Sequence, residues 1–435
     1  MTTVTLTTRR SAPRFGRLQT IGLLYGIFGG LLVAYVAPNL ESADKSFAFE
    51  PPKPGSVPAS LTFDPRTVVF ATGVFFVLAG VVSLLGPRYE RWSRAALLVS
   101  TILLAPLFVV LALALSESGG TNVVQLLVES LRLGTPYALG AMAGLWCERS
   151  GVVNIGIEGM MLASAGVGFT FYAVLGDASG GGWLWFSIGA AIITGGLVGL
   201  LHAVVSVSFR VNQIISGVVI NLLALGFTSF LRSQVIVPRG ISTGESTSAI
   251  SLWPLTEIPV IGEQVFEAKP IFFAMFVVVT LTSLVLFFTP WGLRVRSCGE
   301  NPHAVETLGI NVIKIRYQAV ILGGLIAGLG GAWFSMESTG GFQENMTGGA
   351  GFIALAALIF GRWRPWPAFA GAMLFGFSRA LGTRLQILNV EVGDFSIPSE
   401  FWQSLPYVVT IVVVAGAIGR AIPPAADGLP YERSK

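Results

Sequence analysis

Of the 435 residues, 53% are hydrophobic and only 11% are charged, whereas about 25% of the residues of a soluble domain are charged. This composition and the mean hydropathy of +0.73 exclude an ordinary soluble enzyme and indicate a membrane protein. The net charge of +4 comes from arginines and lysines in short loops between apolar runs, so it does not suggest a nucleic-acid partner.

Apolar runs of about 20 residues, the length that crosses the hydrocarbon core of a bilayer, recur along the chain. They predict an all-α polytopic membrane protein with about twelve transmembrane helices, at residues 20–37, 67–86, 95–115, 123–146, 153–175, 183–209, 212–231, 270–289, 317–336, 348–361, 366–383 and 404–420. The first run follows a cluster of arginines and resembles a signal peptide, but its length and the spans after it favour a retained helix.

The loops between these spans alternate in charge. The basic set contains Arg9, Arg10, Arg14, Arg17, Arg88, Arg91, Arg94, Arg149, Arg210, Arg294, Arg296, Lys314, Arg316, Arg362 and Arg364. The acidic set contains Glu41, Asp44, Glu50, Glu117, Asp177, Glu245, Glu257, Glu263, Glu267, Glu337, Glu344, Glu391 and Asp394. Because basic loops stay on the cytoplasmic side, both termini are predicted to be cytoplasmic. Cys147 and Cys298 then lie at the cytoplasmic side, where thiols stay reduced.

The stretch "CERSGVVNIGIEGMMLASAG" (147–166) places an amide and a carboxylate, Asn154 and Glu158, in an otherwise apolar run. A carboxylate in hydrocarbon costs about 3 kcal/mol or more, so these side chains are not expected to face lipid. They are four residues apart and share one helix face. A stripe of small residues, which allows close packing against another helix, consists of Gly156, Gly159, Ala163 and Gly166. The glycines of this stretch also make a break in the fifth span plausible.

Two roles fit Asn154 and Glu158. Glu158 is structural if it accepts hydrogen bonds from backbone at a helix break, or if it pairs with Arg149. Alternatively both residues line the translocation path, since paired short or interrupted segments indicate a transporter's pathway and the tenth span is short. Further candidates for the path, or for contact with substrate or a binding protein, are Asn221 in the seventh span and Phe342 and Gln343 in a Gly-rich extracytoplasmic turn.

A small helix is predicted inside the longest internal cytoplasmic loop, residues 290–318, at "ENPHAVETLG". Asn301 is a good N-cap, Pro302 suits the first helical position, and Gly309 can end the helix in the left-handed conformation.

One face of this helix carries Ala304 and Leu308, with Val305 beside them. A helix of two turns is marginal alone and would persist if another protein held it. The alternative is an ordinary interfacial loop helix.

The sequence lacks the common catalytic and metal-binding motifs. A phosphate-binding P-loop needs Gly-Lys before Ser or Thr, but none of the five lysines follows a glycine. No CxxC, HExxH or GxSxG motif is present. The two histidines, His202 and His303, are far apart, and His202 is expected to be a packed or interfacial side chain. No catalytic, metal or cofactor site is therefore predicted in this chain.

Five stretches resemble the permeases of ABC importers for nucleosides, within the broader group of simple-sugar and branched-chain amino acid permeases. They occur in the family's order: "ERSGVVNIGIEGMML" (148–162), "NQIISGVVINLLALGFTSFL" (212–231), "GENPHAVETLGINV" (299–312), "GGAGFIALAALIFGRWRP" (348–365) and "PPAADGLPYE" (423–432).

This resemblance implies a type II importer-like permease core at residues 119–435, preceded by an extension with about three helices at residues 1–118. It also implies a multi-pass plasma (inner) membrane protein that works with a second homologous permease, a cytoplasmic ABC ATPase that binds the ATP, and an extracytoplasmic substrate-binding protein. The small helix then resembles the helix that couples to the ATPase, with contact residues Glu300, Asn301, Pro302, Ala304, Val305, Leu308 and Gly309.

Nucleoside import is therefore the leading hypothesis. A permease for a simple sugar or another small polar solute is the alternative within the class. An ion-coupled secondary transporter would need carboxylates at mid-membrane in several helices, whereas this sequence offers only Glu158, which is expected near a membrane face. A membrane-embedded enzyme would need a paired acid and base or a metal cluster.

Overall fold

The computed structural model describes residues 16–49, 59–85, 89–116, 119–175, 182–240, 244–388, 391–392, 395–396, 398–412 and 421–433. Several residues used above for the charge pattern lie outside the described residues: Arg9, Arg10, Arg14, Glu50, Arg88, Glu117, Asp177 and Asp394. Residues 413–420 of the twelfth predicted span also lie outside them.

The described residues are mainly helical. The helices are α1 Arg17–Leu31, α2 Ala37–Asn39, α3 Pro65–Leu84, α4 Glu90–Ala114, α5 Val123–Arg149, α6 Ile157–Leu175, α7 Gly182–Ala203, α8 Gln213–Leu231, α9 Gly262–Phe266, α10 Pro270–Phe288, α11 Pro290–Glu300, α12 Pro302–Thr307, α13 Val312–Ala332, α14 Ala350–Phe360, α15 Pro365–Ile387, α16 Ser399–Gln403 and α17 Leu405–Val412. Turns of π-helix continue α1, α7, α8 and α13, at Leu32–Val36, Val204–Ser208, Arg232–Ile236 and Trp333–Ser338.

The strands are short: β1 Lys45–Ala48, β2 Ser60–Phe63, β3 Gly120–Asn122, β4 Ile250–Ser251, β5 Glu267–Ala268, β6 Glu391–Val392 and β7 Phe395–Ser396. β1 is the centre of a three-stranded sheet, antiparallel to β2 and parallel to β3. The other four strands form two separate antiparallel pairs.

The chain divides into two compact units. The first comprises residues 1–123 and 384–399 and contains α1, α3, α4 and the three-stranded sheet. Its buried core includes Leu32, Val69, Phe76, Leu107 and Val110. The Asp64 carboxylate caps α3 by accepting from the backbone N–H groups of Arg66 and Thr67, at 3.1 and 3.3 Å. A hydrogen bond from the Thr67 hydroxyl holds the pKa of Asp64 below its ordinary value.

The second unit comprises residues 124–383 and 400–435, and α6 packs within it against α7, α8 and α13. The predicted stripe of small residues faces α8: Gly156 lies against Gly217, Gly159 against Ile220, and Gly166 against Thr228. A Cβ added at Gly159 would lie 2.8 Å from the Ile220 carbonyl oxygen, so only glycine allows this approach. The predicted packing of this stripe against another helix is confirmed.

Eight helices in the described part of the chain are long and apolar enough to cross a membrane: Leu18–Asn39, Pro65–Leu84, Glu90–Ala114, Ile157–Leu175, Trp183–Ser208, Gln213–Arg239, Pro270–Phe288 and Val312–Ser338. A predominantly helical polytopic membrane protein is thereby confirmed, with only short strands beside the helices. The other four predicted spans contain α5, α14, α15 and α17, so the count of twelve and the cytoplasmic termini stay predictions.

The predicted orientation can be tested with single cysteines. Leu61→Cys and Ile250→Cys replace side chains that are 57% and 42% exposed in loops predicted to be extracytoplasmic. They should react with a membrane-impermeant maleimide on intact cells, whereas Glu90→Cys and Arg364→Cys should react only after permeabilisation. Both native thiols are buried, so the parent chain is the blank. Reversed labelling at any of the four positions would show that the span count is wrong there.

Candidate functional site

The candidate site begins at a break between α5 and α6. Residues 150–156 are not helical, and α6 starts at Ile157, four residues later than the predicted span. Gly151 has φ = +88°, a left-handed conformation that glycine adopts without strain. The predicted fifth span therefore starts late, and its helix is continuous from Ile157 to Leu175 rather than broken. Residues 150–156 have irregular backbone in a membrane protein. Where water is excluded, the polar groups of such backbone need hydrogen-bond partners from the protein itself.

Side chains from α7 and α8 satisfy this backbone. The Gln213 Oε1 atom accepts from the Val153 N–H at 2.6 Å, and His202 Nε2 lies 3.0 Å from the Val153 carbonyl oxygen. His202 Nδ1 lies 3.0 Å from the Ser216 hydroxyl oxygen. His202 is fully buried, so its predicted role as a packed side chain is confirmed.

Asn221 is the central connection between α8 and the break. Its Oδ1 atom accepts from the Gly159 N–H at 2.8 Å, and its Nδ2 atom donates to the Ile155 carbonyl at 3.1 Å. One amide side chain therefore bonds to backbone on both sides of the point where α6 begins. The sequence analysis offered Asn221 as a pathway residue, and the structure gives both of its polar atoms a backbone partner.

Asn154 lies within the break and is fully buried. Its Nδ2 atom donates to the Cys147 sulfur at 3.3 Å and lies 3.6 Å from the Met160 sulfur. Sulfur is a weak acceptor, and among the described residues the Asn154 Oδ1 atom has no hydrogen-bond partner. This carbonyl oxygen is therefore an unsatisfied acceptor inside the protein.

Glu158 binds the first turn of α14. Its Oε1 atom accepts from the Thr347 hydroxyl at 2.6 Å and from the Gly349 N–H at 2.9 Å, and Oε2 accepts from the Gly351 N–H at 2.6 Å. The N-cap of α14 is Gly349, which has φ = +84° and no side chain to cap the helix. Glu158 supplies the missing acceptor from another helix, and a carboxylate is favourable at the positive end of the helix dipole.

The partners of Glu158 decide between the two structural roles considered above. Arg149 donates instead to the Trp363 carbonyl, at 2.9 and 2.7 Å, and Trp363 Nε1 donates to the Glu148 carboxylate at 2.5 Å. Glu158 thus bonds to backbone at a helix end, and the suggested pairing with Arg149 is absent.

These contacts also place Glu158 along α14. The C-terminal end of α14 lies at the end of α5, through Trp363, and its N-terminal end lies at Glu158. The 11 residues of α14 span about 16 Å, so Glu158 lies about one length of α14 from the Trp363 end. Its expected position near a membrane face stays a prediction.

The two residues of the Gly-rich turn differ in exposure. Phe342 is 3% exposed and belongs to the main hydrophobic core, and its ring approaches Gly166 of α6. Gln343 is exposed. The geometry therefore makes only Gln343 accessible to a solute or a partner protein.

The predicted small helix is present as α12. The Asn301 side chain caps it by accepting from the Ala304 N–H at 3.1 Å, with Pro302 at the first position. Gly309 follows it with φ = +76°. The predicted end at Leu308 is one residue late, because α12 ends at Thr307.

The faces of α12 are unequal. Val305 is 3% exposed and packs into the core of the unit, whereas Leu308 is 76% exposed and Ala304 is exposed. Glu300 precedes the helix and accepts from the Ala425 N–H at 3.3 Å. Within the predicted contact set, Ala304 and Leu308 are thus available to a partner, and Val305 anchors the helix.

The family model described as "Branched-chain amino acid transport system / permease component" matches residues 126–414, which is more than half of the chain. The chain belongs to this permease family. The permease is therefore a multi-pass membrane protein and a transport subunit rather than an enzyme. No solved structure matches it at a significant level.

Curated relatives match most of the permease. The guanosine ABC transporter permease protein NupQ of Bacillus subtilis (strain 168) is 38% identical over 70% of this chain and 96% of its own length. The nucleoside ABC transporter permease protein NupC of Lactococcus lactis subsp. cremoris (strain MG1363) is 40% identical over 72% of this chain and 99% of its own. The putative glucose ABC transporter permease protein TsgC13 of Haloferax volcanii is 33% identical over 68% and 92%.

A second carboxylate caps a helix of the permease, and the sequence analysis missed it. Glu337 is 3% exposed and accepts from the N–H groups of Ile271 and Phe272, at 2.6 and 3.1 Å. It thereby caps α10, whose N-cap residue Lys269 makes no side-chain cap hydrogen bond. Glu337 had been assigned to an acidic loop, but it lies in the π-helical continuation of α13. The sequence did carry one indication: Lys269, the residue before Pro270, has a side chain that cannot accept a hydrogen bond, so α10 needs a capping acceptor from elsewhere.

Replacing Asn221 tests whether the amide holds the break. Asn221→Leu leaves the Gly159 N–H and the Ile155 carbonyl without partners, and each unsatisfied buried group costs about 1–3 kcal/mol. The free energy of unfolding in detergent should fall by about 2–6 kcal/mol. Leu222→Ala is the matched control, because the Leu222 side chain is 65% exposed on the same helix. A fully stable Asn221→Leu permease that no longer transports would instead assign the amide to the path.

Proposed function

We propose that this permease imports nucleosides across the plasma membrane as the transmembrane subunit of an ABC importer. The observation that carries the proposal is the similarity to two permeases named for guanosine and nucleosides, at 38% and 40% identity and over nearly their whole length. In this proposal a separate cytoplasmic ATPase binds and hydrolyses ATP.

The geometry of α12 supports coupling to such an ATPase. A capped helix at a basic cytoplasmic loop presents Leu308 and Ala304 outward, while Val305 ties it to the core. An exposed apolar side chain of this size on a short loop helix suits a groove in a partner protein. The sequence has no Gly-Lys step of a P-loop, which supports a separate chain as the site of ATP hydrolysis.

Two further partners belong to the proposal. Bacillus subtilis has a second guanosine ABC transporter permease protein, NupP, that is 28% identical to this chain over 306 residues, besides NupQ. Two different permeases named for one solute in one organism support a pair of homologous permease chains. An extracytoplasmic binding protein would deliver the nucleoside, and exposed Gln343 is one residue that it could contact.

The position of Glu158 supports a scaffold role beside the path rather than ion coupling. Its two oxygens accept three hydrogen bonds, two of them from backbone N–H groups. A carboxylate that carried a proton or sodium ion would have to give up these bonds. We place the path next to the break, where Asn154 keeps an unsatisfied carbonyl oxygen.

A sugar is the second candidate substrate, because the 33% identical relative is named as a putative glucose permease. The test is uptake of labelled guanosine, adenosine, cytidine and glucose by cells that lack their own transporters and express the permease with its ATPase, second permease and binding protein. We expect saturable nucleoside uptake that an ATPase lacking its P-loop lysine abolishes. Uptake of glucose but of no nucleoside would overturn the nucleoside proposal. ATP hydrolysis by the purified permease without other subunits would overturn the proposal that a separate ATPase hydrolyses ATP.

A further inference from the structure

The C-terminal tail, residues 421–433, lies on the cytoplasmic loop that carries α12. The Ala426 N–H donates to the Gly299 carbonyl at 2.8 Å, and the Ala425 N–H donates to the Glu300 carboxylate at 3.3 Å. The tail thus bonds to the last two residues of α11, directly before the N-cap of α12.

Tyr431 of the tail packs on α12 itself. It is 6% exposed, and its ring centroid lies 5.4 Å from that of His303. Its hydroxyl bonds to Glu306, and burial, helped by this acidic neighbour, raises the pKa of Tyr431 to about 12. The Arg433 guanidinium lies 3.5 Å from the Glu306 carboxylate. The tail therefore contacts the first and last turns of α12.

The other side of the tail is anchored in the permease core. Arg316 of α13 is 1% exposed and donates to the Leu429 carbonyl at 3.1 Å, and its guanidinium lies 5.9 Å from the Tyr431 ring centroid. Arg210, just before α8, pairs with Glu432 at 2.7 Å. The tail consequently connects α12 to α13 and to the segment just before α8.

A helix as short as α12 does not hold its own orientation, since most helical stability comes from tertiary packing. Val305 supplies one buried contact from the helix itself, and the tail supplies contacts on both of its turns. We propose that the tail is a positioning element that fixes α12 for force transfer from the ATPase, with Tyr431 as its main positioning residue. This proposal rests on the proposed function, in which α12 is the ATPase contact.

A native thiol reports on the tail without any assay of transport. Cys298 is fully buried, lies next to the Gly299 carbonyl that binds the tail, and shares a buried cluster with Tyr431 and Val305. Burial raises the pKa of the Cys298 thiol to about 11, which lowers its reactivity because the thiolate is the nucleophile. Release of the tail should expose it.

The experiment compares Tyr431→Ala with two matched variants in the complete importer. Tyr431→Phe keeps the ring, and Leu429→Ala removes a side chain that is 56% exposed but keeps its carbonyl. Maleimide labelling of Cys298, assigned by peptide mass spectrometry, measures attachment of the tail. Nucleoside taken up per ATP hydrolysed measures coupling.

For Tyr431→Ala we expect labelling of Cys298 to rise about tenfold and uptake per ATP to fall about tenfold. Tyr431→Phe and Leu429→Ala should stay within about twofold of the parent in both measurements. Unchanged labelling in Tyr431→Ala would show that the tail does not hold the loop. Raised labelling with parental uptake per ATP would show that it covers α12 without positioning it. Either result overturns the proposal.

A second variant covers the case in which Tyr431→Ala does not accumulate. The Arg433 side chain is 82% exposed, so Arg433→Glu removes no buried packing and should not impair folding. The change puts a second carboxylate beside Glu306. Uptake per ATP should fall about threefold, and parental coupling in this variant would overturn the proposal. If the parent importer takes up no nucleoside, the proposed function fails, whereas labelling of Cys298 still tests the tail.

Discussion

Glu158→Leu is expected to remove most of the permease from the membrane. The change leaves the Thr347 hydroxyl and the N–H groups of Gly349 and Gly351 without their acceptor. At about 1–3 kcal/mol for each unsatisfied donor, the loss is about 3–9 kcal/mol, against a total stability of about 5–15 kcal/mol for a typical domain. The two backbones are also in close contact here, because a Cβ at Gly351 would lie 2.4 Å from the Glu158 backbone nitrogen.

Two milder variants make this prediction specific. Glu158→Gln keeps one carbonyl oxygen, for example for the Gly351 N–H, and its amide can donate to the Thr347 hydroxyl, so about one hydrogen bond is lost. Thr347→Val removes a single donor and should cost about 1 kcal/mol. The amount of folded permease should decrease in the order parent, Thr347→Val, Glu158→Gln, Glu158→Leu.

The measurement is nucleoside uptake divided by the amount of permease in the membrane. For a carboxylate that only caps α14, uptake per molecule should stay near the parental value in every variant that inserts. Normal amounts of Glu158→Leu with no uptake would contradict the cap and assign the carboxylate to the path.

Leu308→Asp and Ala304→Asp are expected to abolish transport while the permease folds normally. Both side chains are exposed, so a charge there costs the isolated permease little. In the proposed complex the charge would lie in an apolar groove without a partner, and such a buried charge is strongly destabilising. Loss of a central anchor at an interface costs about 2 kcal/mol or more, which is about thirtyfold in affinity.

Val305→Asp is the contrasting variant on the same helix. Val305 is 3% exposed and packs inside the permease, so this change should lower the amount of folded protein even without the ATPase. The amount of permease in the membrane and the co-purification of the ATPase separate the outcomes. The variants at the two exposed positions should reach the membrane in normal amounts but no longer co-purify with the ATPase. Parental uptake by Leu308→Asp would show that α12 is not the coupling helix.

Local features of this permease could be predicted from its sequence. Long apolar runs define helices, because hydrocarbon requires every backbone group to be bonded within the segment. Asn301 and Gly309 mark the ends of α12 because caps act over three or four residues.

Contacts between distant segments could not be predicted in this way. Glu158 and Gly351 are 193 positions apart, and Glu337 and Ile271 are 66 apart. A lone acidic residue in an apolar run shows that it needs a partner but not which helix end provides it.

The cap on α14 has a consequence for the charge that a passing solute meets. A free helix N-terminus carries about half a positive elementary charge and attracts anions such as phosphate. In this permease the Glu158 carboxylate already occupies that end, so the end of α14 is closed to a second anion. We therefore expect a path beside this end of α14 to admit an uncharged nucleoside and to repel its phosphorylated form, so that the cell's own nucleotides do not leak outward along the same route.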